Sequence, residues 1–423
     1  MKKGSNAAIV RGLLFAAGYV LVVQNVLVPV STKLLFLSVA TLFAGVSAIR
    51  LRRAARISSA AIKLPGPLVL SVVLVIGLLA LGAASLIWTP ETALQDWVRD
   101  ALTYIMFPVA VLIGSDFGMA ARRRALLGTV WTIGVFGAVS FTFTWLQRRG
   151  AEGLDIESVG LASSFVPMPA IALGLALFCA PRRPNIGALV SAFAVGGILV
   201  LSGGRTIWIL LIVGVLFAGF LAIVRFGRVI RVLALCVAGL ATGALALAAS
   251  PTLAGNGIAA DRFQWFSRLY EYGWAVFATD GSAVERLRAY DWTLQIWEEN
   301  FLWGRGWGQP FPSVTTGAVT GSIFTLDSPF VVLAKFGLLG TAVLVLAIIA
   351  LVRATTVMAR SDEIISTSVW VAISMAAVLL LNGFPLENRG FPIFTFCLVA
   401  QAVLALREAQ TADNFPYPKV VKA

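Results

Sequence analysis

Two arginines in polar stretches are the first residues of this sequence that suggest binding chemistry. Arg205 follows Ser202-Gly203-Gly204 and opens an apolar run, so it lies at a predicted first helical turn, where free backbone N–H groups favour an anion. Arg288 lies in a predicted helix over 284–299, with Glu285 and Asp291 three residues to either side. The alternatives are a snorkelling membrane-edge arginine for Arg205 and a surface ion-pair ladder for Arg288.

More polar residues follow between positions 304 and 335. Gly304-Arg305-Gly306-Trp307-Gly308 predicts a flexible turn with exposed backbone donors, and no dinucleotide-binding fingerprint, because no β-strand precedes it. Asp327-Ser328-Pro329 opens an apolar run, where Asp327 or Ser328 suits a helix cap. Lys335 lies two turns further on, as an intramembrane cation that faces a cavity or snorkels to the outer interface.

The composition determines which elements must hold these residues. Apolar side chains make up 59% of the 423 residues and charged ones 13%, whereas soluble domains contain about 45–50% and about 25%. Lipid must therefore be the solvent of much of the chain, and disorder is excluded. The chain has no histidine, and its cysteines (Cys179, Cys236 and Cys397) lie in apolar runs, where we expect small buried hydrophobic side chains. We expect neither a metal site nor a cofactor.

A helix needs about 20 apolar residues to cross a bilayer, and this length predicts the membrane spans. The candidate runs are 12–31, 34–49, 68–87, 101–119, 125–146, 161–180, 186–202, 206–224, 232–249, 329–351, 366–383 and 391–406. The fold class that they predict is an all-α polytopic membrane protein with about twelve transmembrane helices. The first run follows Met1-Lys2-Lys3 and is interpreted as an uncleaved span.

The basic residues predict the orientation of these spans. Clusters such as Arg122-Arg123-Arg124 and Arg225 to Arg231 occupy every second connector, which is typical of cytoplasmic loops. Both termini are then cytoplasmic. The net charge of +13 follows this topology, whereas a nucleic-acid-binding protein concentrates its basic residues in one patch. Most of the 12 tryptophans lie on the predicted outer side.

One connector is long, and it divides the chain. Residues 1–249 form the first nine predicted transmembrane helices, 250–326 an extracytoplasmic loop, 327–406 the last three helices and 407–423 a cytoplasmic tail. Within the loop, 261–277 predicts an amphipathic helix that lies on the membrane surface or packs against the helical bundle. Long loops in compact proteins usually carry function.

The order of these motifs resembles the O-antigen ligase and O-antigen polymerase superfamily of polytopic glycosyltransferases. The matching motifs are the turn ending in Arg205, the segment Arg288-Ala-Tyr-Asp-Trp292, residues 299–308, and Asp327-Ser328 followed by 333–340. The resemblance covers about residues 195–345. It implies a GT-C-like fold in the cytoplasmic membrane, with the active site on the extracytoplasmic side.

The resemblance also implies a reaction and its partners. The donor would be an undecaprenyl-diphosphate-linked glycan, and an acceptor hydroxyl would attack its anomeric carbon without a metal ion or nucleotide sugar. Arg205 and Arg288 match the arginines thought to bind the diphosphate, and Arg286 competes for the second place. A guanidinium group binds phosphate in a bidentate way and stabilises charge on the leaving group. The further substrate-binding candidates are Trp292, Arg305, Ser328 and Lys335.

The sequence departs from the ligase branch of this superfamily. Ligases have a His-Asn pair where this chain has Asp327-Ser328. This favours the polymerase branch, in which Asp327 takes the acceptor's proton or orients its hydroxyl, unless it only caps the helix. A ligase acting on another acceptor is the alternative within this chemistry, and a lipid-linked oligosaccharide flippase is the alternative from another class. A chain-length regulator stays open as a further partner, and no nucleic acid is expected.

Overall fold

The computed structural model describes residues 2–23, 28–57, 64–88, 92, 94–149, 165–200, 205–254, 271, 281–309, 311, 328–381 and 390–414. Within them the ordered elements are helices and no strand is present. An all-helical chain suits lipid, because each helix satisfies its own backbone hydrogen bonds. In chain order the helices are α1 (Lys2–Gly18, continued by a π-helical turn over Tyr19–Val23), α2 (Val30–Ile57), α3 (Gly66–Trp88), α4 (Leu94–Ala120), α5 (Arg123–Arg149), α6 (Met168–Cys179), α7 (Ile186–Val200), α8 (Arg205–Val224), α9 (Val229–Ala254), α10 (Gly281–Glu299), α11 (Val331–Ala359), α12 (Glu363–Leu381) and α13 (Phe391–Asn414).

Each predicted span overlaps one of these helices, although the run over 12–31 extends past α1 to the start of α2, and α10 lies in the predicted outer loop. Among the described residues, seven helices are long and apolar enough to cross a membrane, and shorter apolar helices cover much of α6 to α9. The described part of the chain is therefore all-helical, as a polytopic membrane protein requires. The exact number of crossings and the domain boundaries stay predictions.

The centre of the bundle is the pair α4 and α13. In the apolar segments of these two helices, 78% and 83% are buried, against 28% in the apolar segment of α3. Glycine allows the close approach, since a Cβ on Gly118 would lie 2.6 Å from the carbonyl oxygen of Ala400. The outer helices present large apolar side chains, such as Leu240 on α9. The prediction that all three cysteines are buried is wrong for Cys236, which is exposed, because it lies on a helix of this lipid-facing kind.

Ion pairs join the helix ends that the basic residues assign to the cytoplasm. Asp116 at the end of α4 lies 2.6 Å from Arg11 of α1 and 3.2 Å from Arg50 of α2. Arg123, at the start of α5, pairs with Asp362 just before α12. The helix directions predicted from the loop charges place these same ends on one side of the membrane, in agreement with the ion pairs. Which side of the membrane these ends face stays a prediction.

Two arginines near the start of α9 bind the end of α6. Arg228 donates to the carbonyl oxygens of Cys179 at 2.7 Å and Pro181 at 2.8 Å. Arg231 donates to those of Phe178 at 2.8 Å and Cys179 at 2.6 Å. The last carbonyls of a helix lack intrahelical donors and carry partial negative charge, so guanidinium groups stabilise them. These basic residues therefore have a packing role besides their predicted topological one.

Candidate functional site

Helix α10 lies against the beginning of α11. Its residues at helical spacing, Ala289, Thr293 and Ile296, are buried, and Ile296 belongs to a small apolar cluster with Val331 and Ala334 of α11. The hydroxyl oxygens of Thr293 and of buried Ser328 lie 2.8 Å apart. This buried hydrogen bond and the apolar contacts hold the middle of α10 to the segment that enters α11.

The other face of α10 carries polar side chains. Arg288, Asp291 and Gln295 are exposed, and Trp292 is half-buried. Arg288 forms no ion pair with any side chain that the structure describes. The Arg288–Asp291 half of the predicted ladder is therefore absent, and the side chain of Glu285, its other acid, lies outside the described residues. The guanidinium group of Arg288 lies on an anchored helix and is open to an anion.

The turn after α10 exchanges backbone hydrogen bonds with α11. In a regular helix the N–H groups of Leu338 and Leu339 would bind the carbonyls of Ala334 and Lys335. They instead donate to residues of the turn, and the two carbonyls accept N–H groups from it. The bonds are Leu338 N to Phe301 O at 2.9 Å, Leu339 N to Leu302 O at 3.2 Å, Arg305 N to Ala334 O at 2.8 Å and Gly306 N to Lys335 O at 3.0 Å.

Two glycines make this exchange sterically feasible. Gly337 has φ 60° and ψ −167° near the start of α11, which breaks the helical ladder there. Gly304 has φ 73°. A Cβ on Gly304 would overlap the carbonyl of Lys335, and one on Gly337 would overlap the backbone of Leu302. The prediction of exposed backbone donors in this turn is wrong at Arg305 and Gly306, because the broken helix needs those donors to satisfy its carbonyls in an apolar environment.

A buried ion pair holds the far end of the turn. Lys335 Nζ lies 2.6 Å from Asp100 Oδ1, and the two side chains are 1% and 0% exposed. The other oxygen, Asp100 Oδ2, accepts the N–H of Gly308 at 2.9 Å. The Lys335 ammonium also lies 5.5 Å from the centre of the Phe311 ring. Lys335 therefore points into the protein and pairs with a carboxylate of α4 instead of snorkelling to the interface.

Trp307, within the same turn, fills an aromatic cluster. Its side chain is fully buried, and it contacts Trp97 edge-on and Tyr104 by stacking, with ring centroids 5.3 and 5.4 Å apart. Gly82 of α3 leaves the room for it, because a Cβ there would overlap the indole. Trp97 donates its indole N–H to the carbonyl of Gly82 at 2.9 Å. These two tryptophans therefore pack α3, α4 and the turn together and do not act as a membrane-interface belt.

The structure describes some of the predicted site residues and leaves others undescribed. Ser328, Trp292, Arg288, half-buried Arg305 and Lys335 lie along α10, the turn and the start of α11. The hydrogen bonds above bring together the elements that carry these residues, while Arg288 lies on the exposed face of α10 and Lys335 points towards α4.

The remaining predicted site residues fall wholly or partly outside the described residues. Arg205 is the first residue of α8 and Arg286 lies in α10, but the side chains of both lie outside the description. The backbone of Asp327, the turn over 202–204 and the predicted amphipathic helix over 261–277 lie outside it as well. The approach of Arg205 to Arg288 therefore stays a prediction.

The sequence reasoning missed Asp100, which contacts both Lys335 and the turn. The available signal was a carboxylate just before the apolar run over 101–119. An acid at this place usually lies in the interface, so only the contact with Lys335 distinguishes it. Gly82 was missed for a similar reason, since its role is to leave space for a side chain distant in sequence.

Comparison with known families finds a match to the part of the chain that contains this site. Residues 189–345 match the family model described as O-Antigen ligase, and no curated protein matches the chain. The match begins in α7 and ends within α11, so it contains α10 and its turn. The resemblance to the O-antigen ligase and polymerase superfamily is thereby confirmed. It supports glycan transfer of the ligase or polymerase type, and thus a glycosyltransferase-like activity.

Proposed function

We propose that this protein is a polysaccharide polymerase of the O-antigen or exopolysaccharide type. It transfers an undecaprenyl-diphosphate-linked glycan onto a hydroxyl of an acceptor repeat unit. The reaction takes place on the outer face of the cytoplasmic membrane, in a GT-C-like fold with about twelve transmembrane helices. Residues of the chain carry the chemistry, with no metal ion.

The observation that carries this proposal is an exposed arginine on an anchored helix. Arg288 is exposed, whereas Arg11, Arg123 and Arg228 are engaged by carboxylates or carbonyl oxygens. A fixed, unpaired guanidinium group can bind a diphosphate without first breaking an ion pair. It also stabilises the negative charge that develops on a leaving diphosphate.

In the proposed reaction, the acceptor oxygen forms a bond to the anomeric carbon of the donor. The bond from that carbon to the diphosphate oxygen breaks, and the diphosphate leaves with the electron pair. Arg205 and Arg288 stabilise the leaving group, with Arg286 as the competing candidate for the second arginine. Asp327 accepts the hydroxyl proton.

The neighbouring candidates have supporting positions in this proposal. Trp292 and Arg305 lie near Arg288 in the chain and contact the glycan or its diphosphate. Ser328 follows Asp327 directly, and its hydrogen bond to Thr293 links the proposed base to α10. Lys335 is committed to Asp100, and its position favours a different role, which is argued below.

A ligase is the second candidate, and the family description favours it. The polymerase is preferred because the chain has no histidine and carries Asp327-Ser328 where the ligase branch has its His-Asn pair. The transporter alternative receives less support. In the described part of the chain the buried ion pairs lie towards the helix ends, whereas transporters place binding groups near the membrane midplane.

Replacing Arg288 or Arg205 with lysine tests the proposal. Lysine keeps the charge but loses the bidentate fork, so polymer formation should fall by roughly a hundredfold while the protein level stays normal. Arg353→Lys is the matched control, because Arg353 is exposed on α11 near the predicted cytoplasmic side. The measurement is the length distribution of glycan on its lipid carrier.

The lipid-linked species that accumulates without the protein distinguishes the two candidates. Single repeat units indicate a polymerase, and finished polymer on its carrier indicates a ligase. Normal chain lengths in both lysine variants would refute the role of the arginines.

A further inference from the structure

We infer that Asp100 and Lys335 are a positioning pair, which fixes the turn after α10 and through it the helix that carries Arg288. The inference rests on the proposed function for its effect on catalysis. Its structural part, the locking of the turn, is independent of any activity.

Stability alone is a weak reason for this ion pair. Both side chains are almost completely buried, and removing two charges from water costs several kcal/mol for each ion, often as much as their attraction returns. Apolar side chains of similar size would fill the same space at little or no cost in stability. A role in specifying the local geometry accounts better for a charged pair in this position.

Asp100 uses both of its carboxylate oxygens for different partners. Oδ1 binds the ammonium of Lys335 at 2.6 Å and Oδ2 accepts the N–H of Gly308 at 2.9 Å. A charged acceptor makes the second bond stronger than a neutral one would. The carboxylate of α4 thereby joins α11 to the last glycine of the turn.

Lys335 contributes to the same lock through its backbone. Its carbonyl oxygen accepts the N–H of Gly306 at 3.0 Å, while its ammonium binds Asp100. The turn is therefore held on both sides of Trp307, at Gly306 and at Gly308. Trp307 lies between these two points in its aromatic cluster, so the turn has little freedom to shift.

The lock matters for Arg288 because α10 has two attachments among the described residues. One is the contact of its middle with the start of α11 through Thr293 and Ser328. The other is the turn that follows Glu299. Losing the hydrogen bond at Gly308 loosens the far end of this turn, which lets α10 shift slightly about the first attachment. A displacement of about 1 Å in a catalytic group can lower a rate by roughly a hundredfold.

Two double variants separate the hydrogen bond to Gly308 from the charges of Asp100 and Lys335. Asp100→Asn with Lys335→Met removes both charges but keeps a side-chain oxygen for the N–H of Gly308. Asp100→Leu with Lys335→Met removes the charges and the acceptor together. Both replace the pair as a whole, so neither leaves a single buried charge, which would threaten folding.

We expect the two variants to differ in activity, and the Leu–Met protein to melt at a lower temperature as well, because the buried N–H of Gly308 then lacks an acceptor. The Asn–Met protein should transfer glycan within about threefold of wild type, and the Leu–Met protein should lose roughly a hundredfold. Equal activity of the two variants would overturn the inference. A loss in both, with the turn still locked, would assign Lys335 to direct substrate binding instead.

Backbone hydrogen exchange gives a readout that does not need activity. The amide of Gly308 should exchange slowly in the wild type and the Asn–Met protein, and faster in the Leu–Met protein. Fast exchange of Gly308 in the wild type would overturn the inference even if no variant folds. If wild-type protein shows the protected turn but makes no polymer, the proposed function fails and the structural lock stands.

Discussion

At the scale of single residues, the arginines of this chain differ mainly in whether a partner occupies them. Arg123 contacts two carboxylates, of Asp362 and Glu408, and holds helix ends together. Arg288 has no such partner among the described side chains and is exposed. The same guanidinium chemistry thus serves packing in Arg123 and is exposed on an anchored helix in Arg288.

Asp327 and Ser328 are adjacent, but different results are expected from their replacement. Asp327→Asn removes the proposed proton acceptor and should lower the transfer rate by about a hundredfold without changing the melting temperature. Ser328→Ala removes the buried partner of Thr293 and should cost about 1 kcal/mol of stability while transfer continues. Transfer assays and thermal unfolding in detergent, run on both variants, check this. Full activity of Asp327→Asn would reduce Asp327 to a helix cap.

At the scale of elements, the central feature is a helix that shares its hydrogen-bond ladder with a turn. Helix α11 breaks at Gly337, and the turn over 301–306 supplies the donors and acceptors that the break leaves free. In an apolar environment each unpaired backbone group costs several kcal/mol. The broken helix and the turn are therefore stable only together.

Replacing a glycine of the turn with alanine should destabilise the protein far more than the same replacement in a membrane helix. Gly308 has φ 75°, and a Cβ there would lie 2.6 Å from the backbone nitrogen of Trp97. Gly308→Ala should lower the melting temperature, because the positive φ alone costs about 1–2 kcal/mol and the contact adds to it.

Gly77 of α3 provides the matched control for this prediction. A Cβ on Gly77 would meet no atom within 4 Å, and alanine is the better helix former by about 1 kcal/mol. Gly77→Ala should therefore keep or raise the melting temperature. Equal melting temperatures for the two alanine variants would contradict the tight docking of the turn.

At the scale of the whole molecule, the two ends of the bundle have different characters. At one end, Asp116 and Arg123 tie helices together through ion pairs and leave many basic side chains exposed. At the other, α10 and its turn lie over α3, α4 and α11. The predicted topology places the first end in the cytoplasm and the second outside.

Cysteine labelling tests this orientation. Gln295 on α10 and Ser361 between α11 and α12 are both exposed, so burial does not protect either position. In a background without the three natural cysteines, a membrane-impermeant maleimide added to intact cells should label Gln295→Cys and leave Ser361→Cys unlabelled until the membrane is opened. The opposite pattern would place the proposed site in the cytoplasm.

Much of the architecture could be predicted from the sequence because it depends on local properties. Length and hydropathy place each span, as in α3 and α11, and the basic connectors predict which helix ends meet. The motif order from Arg205 to Lys335 carries the resemblance to the O-antigen ligase family that the family match confirms. These signals need no knowledge of which residues touch.

The contacts of the site depend on residues that are distant along the chain, and only the tertiary structure decides them. No feature of the sequence near Lys335 indicates that its partner is Asp100, which lies 235 positions away. The buried state of the turn depends on a helix break at Gly337 and on space left by Gly82. The sequence by itself determined that the chain is a helical membrane protein with arginines suited to an anion. Only folding decided that Arg288 is exposed and that Lys335 forms an ion pair with Asp100. Both outcomes depend on which residues, distant along the chain, pack against each other.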